Sequence, residues 1–314
     1  MDKKKVLVVC LNPTFQETII FDTVIKNEVN RSADYFVSPS GKGVNVVRVL
    51  TQLGMEAAAF THLGTERARE FEKLCAAENL RLISFESALS PIRTCTTVID
   101  KAQKNSTELV QEPRAVEADA DARAFKLFSE HMPLFDAVVF SGTKAPGYAA
   151  DLYPRMVEAA KKQGKPVIVD LKGAELQKTL AFFPDIAKPN LSELAATYMP
   201  GKKVLENEDS DYLFSEVEKI AREIRRTYGT KLVISRGRFN TWVFDGDALC
   251  VVPNKGKDVP VVNTIGCGDT LTAGMVYALL CGKELTEAVA FGMDCALKKA
   301  QSPYHGIGGK PPAT

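Results

Sequence analysis

From about residue 119 onward the chain alternates apolar, strand-like runs with helical stretches, and this rhythm restricts the fold more than any other feature. Helices are expected over residues 121–131, 149–163, 174–182, 191–198 and 212–228. Strands are expected over 137–141, 166–170, 186–189 and 231–235, and a hairpin over 241–244 and 248–252 turns on Asp245-Gly246. Helices over 269–281 and 286–300 close the chain. Near the start, Val6-Leu7-Val8-Val9-Cys10 is unbroken and apolar, as in a strand covered on both faces. Strand and helix in alternation specify an α/β fold, with three αβα layers around a mainly parallel central sheet. No linker or repeat divides it, so residues 1–314 read as one domain.

Four further strands do not suit a buried parallel sheet. Residues 18–23, 29–38, 93–100 and 106–110 alternate polar with apolar side chains. They read as one small lid-like sheet, inserted from about 15–38 and 93–111. Between these pieces lie a helix ending at Leu53, a short strand at 57–61 and a helix at 66–79.

Two glycine turns carry the chemistry. In Asn263-Thr264-Ile265-Gly266-Cys267-Gly268-Asp269-Thr270, a strand is expected at 259–262 and a helix at 271–280. Backbone N–H groups and the positive end of a helix then face one point, which suits an oxyanion or phosphate. Asp269 at that point is placed to take a proton from an attacking hydroxyl. Cys267 reads as a small side chain filling the turn, since no His lies near it in sequence. The second turn is Ser38-Pro39-Ser40-Gly41-Lys42-Gly43-Val44-Asn45. It is not a Walker loop, because neither Ser nor Thr follows Lys42, and Val46 breaks a dinucleotide fingerprint. Ligands of such sheets bind at the carboxyl ends of the strands. There the sequence places Asn12, Ser141, Lys144, Asp170, Lys172, Lys188, Asn190, Glu193, Ser235 and Gly237.

Charge narrows the partners. Lys and Arg number 40 against 39 Asp and Glu, a net charge of +1, so no global field gathers nucleic acid or a membrane surface. Seven scattered cysteines contain no Cys-x-x-Cys pair, which indicates neither zinc nor a disulfide framework. Reduced thiols point to a cytoplasmic protein. The lysines at the N-terminus lead into an apolar run too short for a signal peptide or a membrane span.

Taken in order, these motifs resemble the PfkB-type carbohydrate kinases of the ribokinase superfamily, in the branch of 1-phosphofructokinase and tagatose-6-phosphate kinase. The resemblance rests on Leu11-Asn12-Pro13, Val29-Asn30-Arg31, Gly41-Lys42-Gly43-Val44-Asn45-Val46, Ser141-Gly142 and Pro146-Gly147. Lys188-Pro189-Asn190-Leu191-Ser192-Glu193 and Thr264 to Asp269 complete it. It implies a ribokinase-like fold, ATP and Mg²⁺ as cofactors, and Asp269 as the base that activates a sugar hydroxyl. It further implies an anion hole from the Gly266, Cys267 and Gly268 backbone, and Asn190 with Glu193 organising Mg²⁺. Lys188, Ser235, Gly237 and Gly268 would border the nucleotide, and Asn12, Gln16, Gly41, Gly43, Asn45 and Ser141 the sugar. The lid would build a homodimer.

Arg31, Lys42, Arg93 and Lys144 fall on lid strands or strand-end loops where they can converge on a phosphate. The expected substrate is therefore a phosphorylated ketohexose, fructose 1-phosphate or tagatose 6-phosphate. Two alternatives stand beside it: a kinase for an unphosphorylated sugar or nucleoside, and a catalytically weak ligand-binding homologue. Three departures from the family pattern bear on the choice. Gln16 stands where a sugar-gripping Asp is usual, Ser40 replaces the first glycine of the second turn, and Lys172 and Asn240 replace smaller residues.

Overall fold

The computed structural model describes residues 3–205, 211–246, 248–256 and 259–308; Met1 and Asp2 of the lysine-rich start lie outside them. Its central strand β1 (Lys5–Val9) shows how the layers arise. Val6, Leu7, Val8 and Val9 are all fully buried, with alternate side chains on opposite faces of the sheet. Leu7 and Val9 join a core with Phe128 of α3 (Ala120–His131), Met156 of α4 (Leu152–Lys162) and Leu180 of α5 (Gly173–Leu180). Leu194 of α6 (Leu191–Tyr198) and Val217 of α7 (Phe214–Tyr228) extend that core. Val6 and Val8 face the other side. There they meet Val46 and Val49 of α1 (Lys42–Gln52) and Phe71 of α2 (Ala68–Ala77). Met275 of α8 (Cys267–Leu280) and Val289 of α9 (Leu285–Ala300) complete that layer. Each such side chain contributes about 1.5–3 kcal/mol by leaving water.

The sheet extends from β1 through β4 (Glu56–Leu63) to β5 (Arg81–Glu86) on one side. On the other it runs through β8 (Ala137–Ser141), β9 (Val167–Asp170), β10 (Ile186–Ala187) and β11 (Lys231–Ile234) to β12 (Thr241–Phe244) and β13 (Leu249–Val252). All pairings are parallel except β11–β12 and β12–β13. The fold is the expected three-layer α/β arrangement. The edge strand β5 was not anticipated; its mixed sequence Arg-Leu-Ile-Ser-Phe-Glu has no continuous apolar run.

A second sheet has the order β3-β2-β6-β7, from β3 (Tyr35–Ser40), β2 (Thr14–Phe21), β6 (Arg93–Asp100) and β7 (Asn105–Val110). The four polar strands do form one sheet, with shifted bounds. Residues 29–34 are not strand, because Asn30 folds back: its Nδ2 donates to the Ile25 carbonyl and its Oδ1 accepts from the Ile25 N–H.

The strand expected at 259–262 is absent. Pro260 has no N–H to offer a neighbour. The Val262 and Asn263 N–H groups instead donate to the Ala300 carbonyl at the end of α9. Asp269 is therefore presented by a loop clamped onto a helix end, not by a strand-to-helix turn. Other bounds move by a few residues; α2, for example, starts at Ala68.

Candidate active site

The helix α8 starts at the carboxyl edge of the sheet. Its N-cap, Gly266, has φ +84°, a left-handed conformation that side chains resist and glycine accepts. Asp269 lies in the first turn, only 6% exposed. Burial pushes its carboxyl up to about 6, against the pull of Lys42 and of the Asn45 hydrogen bond. Asn45 Nδ2 donates to Asp269 Oδ2 at 2.8 Å, which joins the two glycine turns across 224 residues of sequence.

Of the three amide hydrogens expected to form an anion hole, one is already engaged. The Cys267 N–H donates to the Thr264 carbonyl (3.1 Å). Among the described residues, the N–H groups of Gly266 and Gly268 have no such acceptor, and space opens beside Gly268. Cys267 Sγ lies 3.5 Å from the Ala296 carbonyl, filling the contact between α8 and α9.

Behind this turn sits a buried cation. Lys299 is fully buried, and its Nζ donates to the Asn263 and Ser302 carbonyls (3.2 and 3.3 Å). Burial lowers its pKa to about 8. His305 is also near Gly266. Burial, with Arg48 and Lys299 close by, holds its imidazole well below the usual range, hence neutral.

Across the cleft, Asp170 ends β9 and is 2% exposed. Burial would raise its pKa, but Lys188 (3.2 Å), Lys42 (3.7 Å) and the Thr272 hydroxyl (2.9 Å) outweigh burial and hold it low. Lys42 Nζ also lies 3.4 Å from Glu193 Oε1. Asp170 above all keeps that ammonium charged. Asn190 and Glu193 form a reciprocal capping box on α6. Asn190 Oδ1 accepts from the Glu193 N–H and the Ser192 hydroxyl, so its acceptor is already engaged.

Among the described residues no three His, Cys, Asp or Glu side chains cluster as a metal cage. A Mg²⁺ carried on nucleotide phosphates needs only one or two protein carboxylates. Glu193 and Asp170, both facing the Lys42 ammonium, meet that requirement.

Lys188, Asn190 and Ser235 lie side by side at the ends of β10 and β11, where Asn190 and Ser235 form an isolated parallel bridge. Gly237 sits in an exposed turn just beyond. Ser141 ends β8 beside Asp170, with its hydroxyl buried and unpartnered.

Of the four cations expected to converge, two do. Lys42 and Arg93 line a cavity together with Cys10, Asn12, Thr143 and Lys172. Lys144 is instead neutralised by Glu175, and Arg31 is exposed in the loop before β3. Arg93 donates to the Gln111 carbonyl and acts on the Glu108 carboxyl through its charge; Asp170 and Glu175 also line the cavity, and Lys172 stands beside them. From sequence, Lys172 is a strand-end residue and a departure from the family pattern, but not one of the four converging cations.

Gln16 is 2% exposed, and its Nε2 donates to the Cys95 carbonyl and the Thr97 hydroxyl. Ser40 does not intrude on the cavity: its hydroxyl donates to Asn45 Oδ1. Gly43 serves packing, since a Cβ there would lie 2.5 Å from Cys10 Cβ. Gly41, at φ +114°, is the N-cap of α1.

A buried acid at a helix N-terminus, amide hydrogens beside it and ammonium groups opposite are the parts that phosphoryl transfer requires. Residues 7–309 match the description "pfkB family carbohydrate kinase". The chain belongs to the pfkB family of carbohydrate kinases. It is 29% identical over 295 residues to a 1-phosphofructokinase of Rhodobacter capsulatus, covering 92% of this chain and 89% of that one. Phosphofructokinase-2 from Escherichia coli in complex with substrates and products superposes with a TM-score of 0.81 at 24% identity, over 95% and 93% of the two chains. A 1-phosphofructokinase candidate from Thermotoga maritima gives 0.80 at 21% identity, over 96% and 94%. This pfkB-family protein is thus a sugar kinase, a phosphotransferase with an alcohol acceptor.

Among the described residues no helix is long and apolar enough to cross a membrane. Among the described residues no two cysteines form a disulfide.

Proposed function

We propose that this sugar kinase transfers the γ-phosphoryl of ATP to a hydroxyl of a phosphorylated ketohexose, fructose 1-phosphate or tagatose 6-phosphate, in the cytoplasm. The carrying observation is the Asn45–Asp269 hydrogen bond at the start of α8, with Lys42, whose charge acts on Asp269, lining a cavity that also holds Arg93 and Lys172. Asp269 takes the proton of the attacking hydroxyl. Near pH 7 it is ionised, yet more basic than an ordinary carboxylate, which favours proton acceptance. The Asn45 N–H holds one carboxylate oxygen, so the other is presented to the substrate. The Gly266 and Gly268 N–H groups and the α8 dipole receive the charge of the moving phosphoryl.

Glu193 and Asp170 would hold Mg²⁺, directly or through water, and the ion supplies neutralisation of the nucleotide phosphates. Asn190 serves by capping α6 and so orienting Glu193. Lys188, Ser235 and Gly237 border the nucleotide side. Arg93 and Lys172 bind the phosphate already on the sugar; Lys144 and Arg31 are not needed there. Asn12, whose Nδ2 donates to the Thr143 hydroxyl, and Gly41 line the sugar side.

The test is a coupled assay of ADP release across phosphorylated and free ketohexoses. Fructose 1-phosphate or tagatose 6-phosphate is expected to outrun its free sugar by at least about a hundredfold, the worth of one or two charge-assisted contacts. Asp269→Asn is expected to lose about a hundredfold or more in kcat. Lys172→Met is expected to raise KM for the sugar phosphate about tenfold and leave KM for ATP in place. Equal turnover of free and phosphorylated sugar would remove the phosphate assignment, and an active Asp269→Asn enzyme would remove the base.

A further inference from the structure

Arg48 is 2% exposed and belongs to no motif named above. It lies one helical turn after Asn45 on α1, on the same face. Its guanidinium forks onto both oxygens of Glu78, just past the end of α2, at 2.5 and 3.2 Å. Nη2 also donates to the Pro39 carbonyl of β3, and Nη1 donates to Asn45 Oδ1 at 2.7 Å. A second donor, the Ser40 hydroxyl, reaches the same Oδ1 at 3.1 Å.

An Asn amide has one accepting end and one donating end. Two donors on the oxygen leave only the NH₂ to face Asp269, as observed at 2.8 Å. With the amide turned over, a carbonyl oxygen would oppose a carboxylate, and Arg48 and Ser40 would point at an NH₂ group. We propose that Arg48 is a positioning residue for phosphoryl transfer: anchored on Glu78, it fixes the Asn45 amide so that its N–H, not its carbonyl, meets Asp269. The inference rests on the reading of Asp269 as the base. Arg48 itself touches no substrate. A lysine cannot replace it, since one ammonium does not span Glu78, Pro39 and Asn45 as a planar fork does. Because Pro39 and Ser40 end the strand that leads into α1, the same guanidinium ties the root of the small sheet to the base.

The test is a double-mutant cycle on kcat, with the fastest sugar phosphate of the assay above and saturating ATP and Mg²⁺. Variants are Arg48→Met, Asn45→Ala and both together, each with a melting temperature. Arg48→Met alone is expected to lower kcat roughly tenfold to a hundredfold, the range that follows when a reacting group loses its alignment. KM for ATP should stay within about twofold, inside the scatter of non-interacting sites. In the Asn45→Ala background the same change should cost under about twofold, since no amide remains to orient. A merely structural Arg48 would lower kcat and melting temperature equally in both backgrounds, and that result overturns the proposal. Should Arg48→Met fail to fold, Arg48→Lys keeps the charge beside Glu78 and is expected to show the same loss in kcat. Full activity of Arg48→Lys at an unchanged melting temperature also overturns it. An active Asp269→Asn enzyme would instead indict the base, which separates the two failures.

Discussion

Asp269 stores a cost that its proposed role as base would explain. Its carboxyl is held at about 6 in the folded chain, against 3.8 in water, first of all by burial. The folded state therefore binds more protons than the unfolded chain between those two values. Stability from this group is present below about pH 3.8 and is lost as pH rises through about 6. At neutral pH the penalty is on the order of 3 kcal/mol. Asp269→Asn removes the charge, so it should raise the melting temperature by a few degrees while abolishing turnover. Calorimetry of the two proteins at about pH 7.5 checks this, and a less stable Asn variant would contradict it. The same carboxyl sets the acid limb of activity: kcat/KM should fall as pH drops below about 6. On the alkaline side Lys299 loses its proton near pH 8, and with it the charge that holds the Asn263 and Ser302 carbonyls behind Gly266. Activity should fall there too. A bell with limbs near these two values in a pH–rate profile is the expected outcome, and Lys299→Met should lose the alkaline limb along with most of the activity.

At the scale of elements, the active site depends on how closely α1 lies on β1. Gly43 makes that approach possible: a Cβ would sit 2.5 Å from Cys10 Cβ and 3.1 Å from a Val8 methyl. Gly43→Ala must lift the first turn of α1, which bears Lys42 and Asn45. It should destabilise by about 1–3 kcal/mol and lower kcat at least tenfold. An Ala variant of unchanged melting temperature and kcat would show that the contact is slack. Elements of this kind were readable wherever the cause was local. The Val6–Cys10 run and the polar alternation of the small sheet each named their element. The run at 259–262 misled because its apolar residues look like a strand, while Pro260 and the carbonyl of Ala300 decide otherwise. The site was readable in part for the same reason. Asp269 and Asn45 meet in a hydrogen bond, and Lys42 and Arg93 line one cavity, all four in or beside motifs. Lys144 pairs with Glu175, 31 residues away, a contact that no local motif announces. Arg48, Lys299 and His305 gain meaning only from packing across the chain, although Arg48 stood one helical turn from Asn45 throughout.

At the scale of the whole molecule, the small sheet has two unlike faces. Register places Gln16, Thr18, Ser38 and Thr97 on one face, all buried and polar. On the other lie Ile19, Tyr35, Val37, Val98 and Leu109, interleaved with Glu17, Thr96 and Thr107, none of them buried, with Tyr35 and Leu109 66% and 59% exposed. A mixed stripe that holds large apolar side chains in water is a surface awaiting a partner. A second copy of the same sheet offers a self-complementary match, as closed twofold symmetry requires. We therefore expect a homodimer formed through this face, with the polar faces turned toward the two active sites. Tyr35→Asp together with Leu109→Asp would put carboxylates at the centre of the contact. That should weaken the dimer by at least about a hundredfold, or about 3 kcal/mol. Sedimentation velocity over a concentration series reads the change directly. The two substitutions lie far from Asp269 in the fold's layering, so secondary structure and the buried core should be untouched. If the doubly substituted protein sediments as the parent does, the interface lies elsewhere, and the stripe needs another occupant.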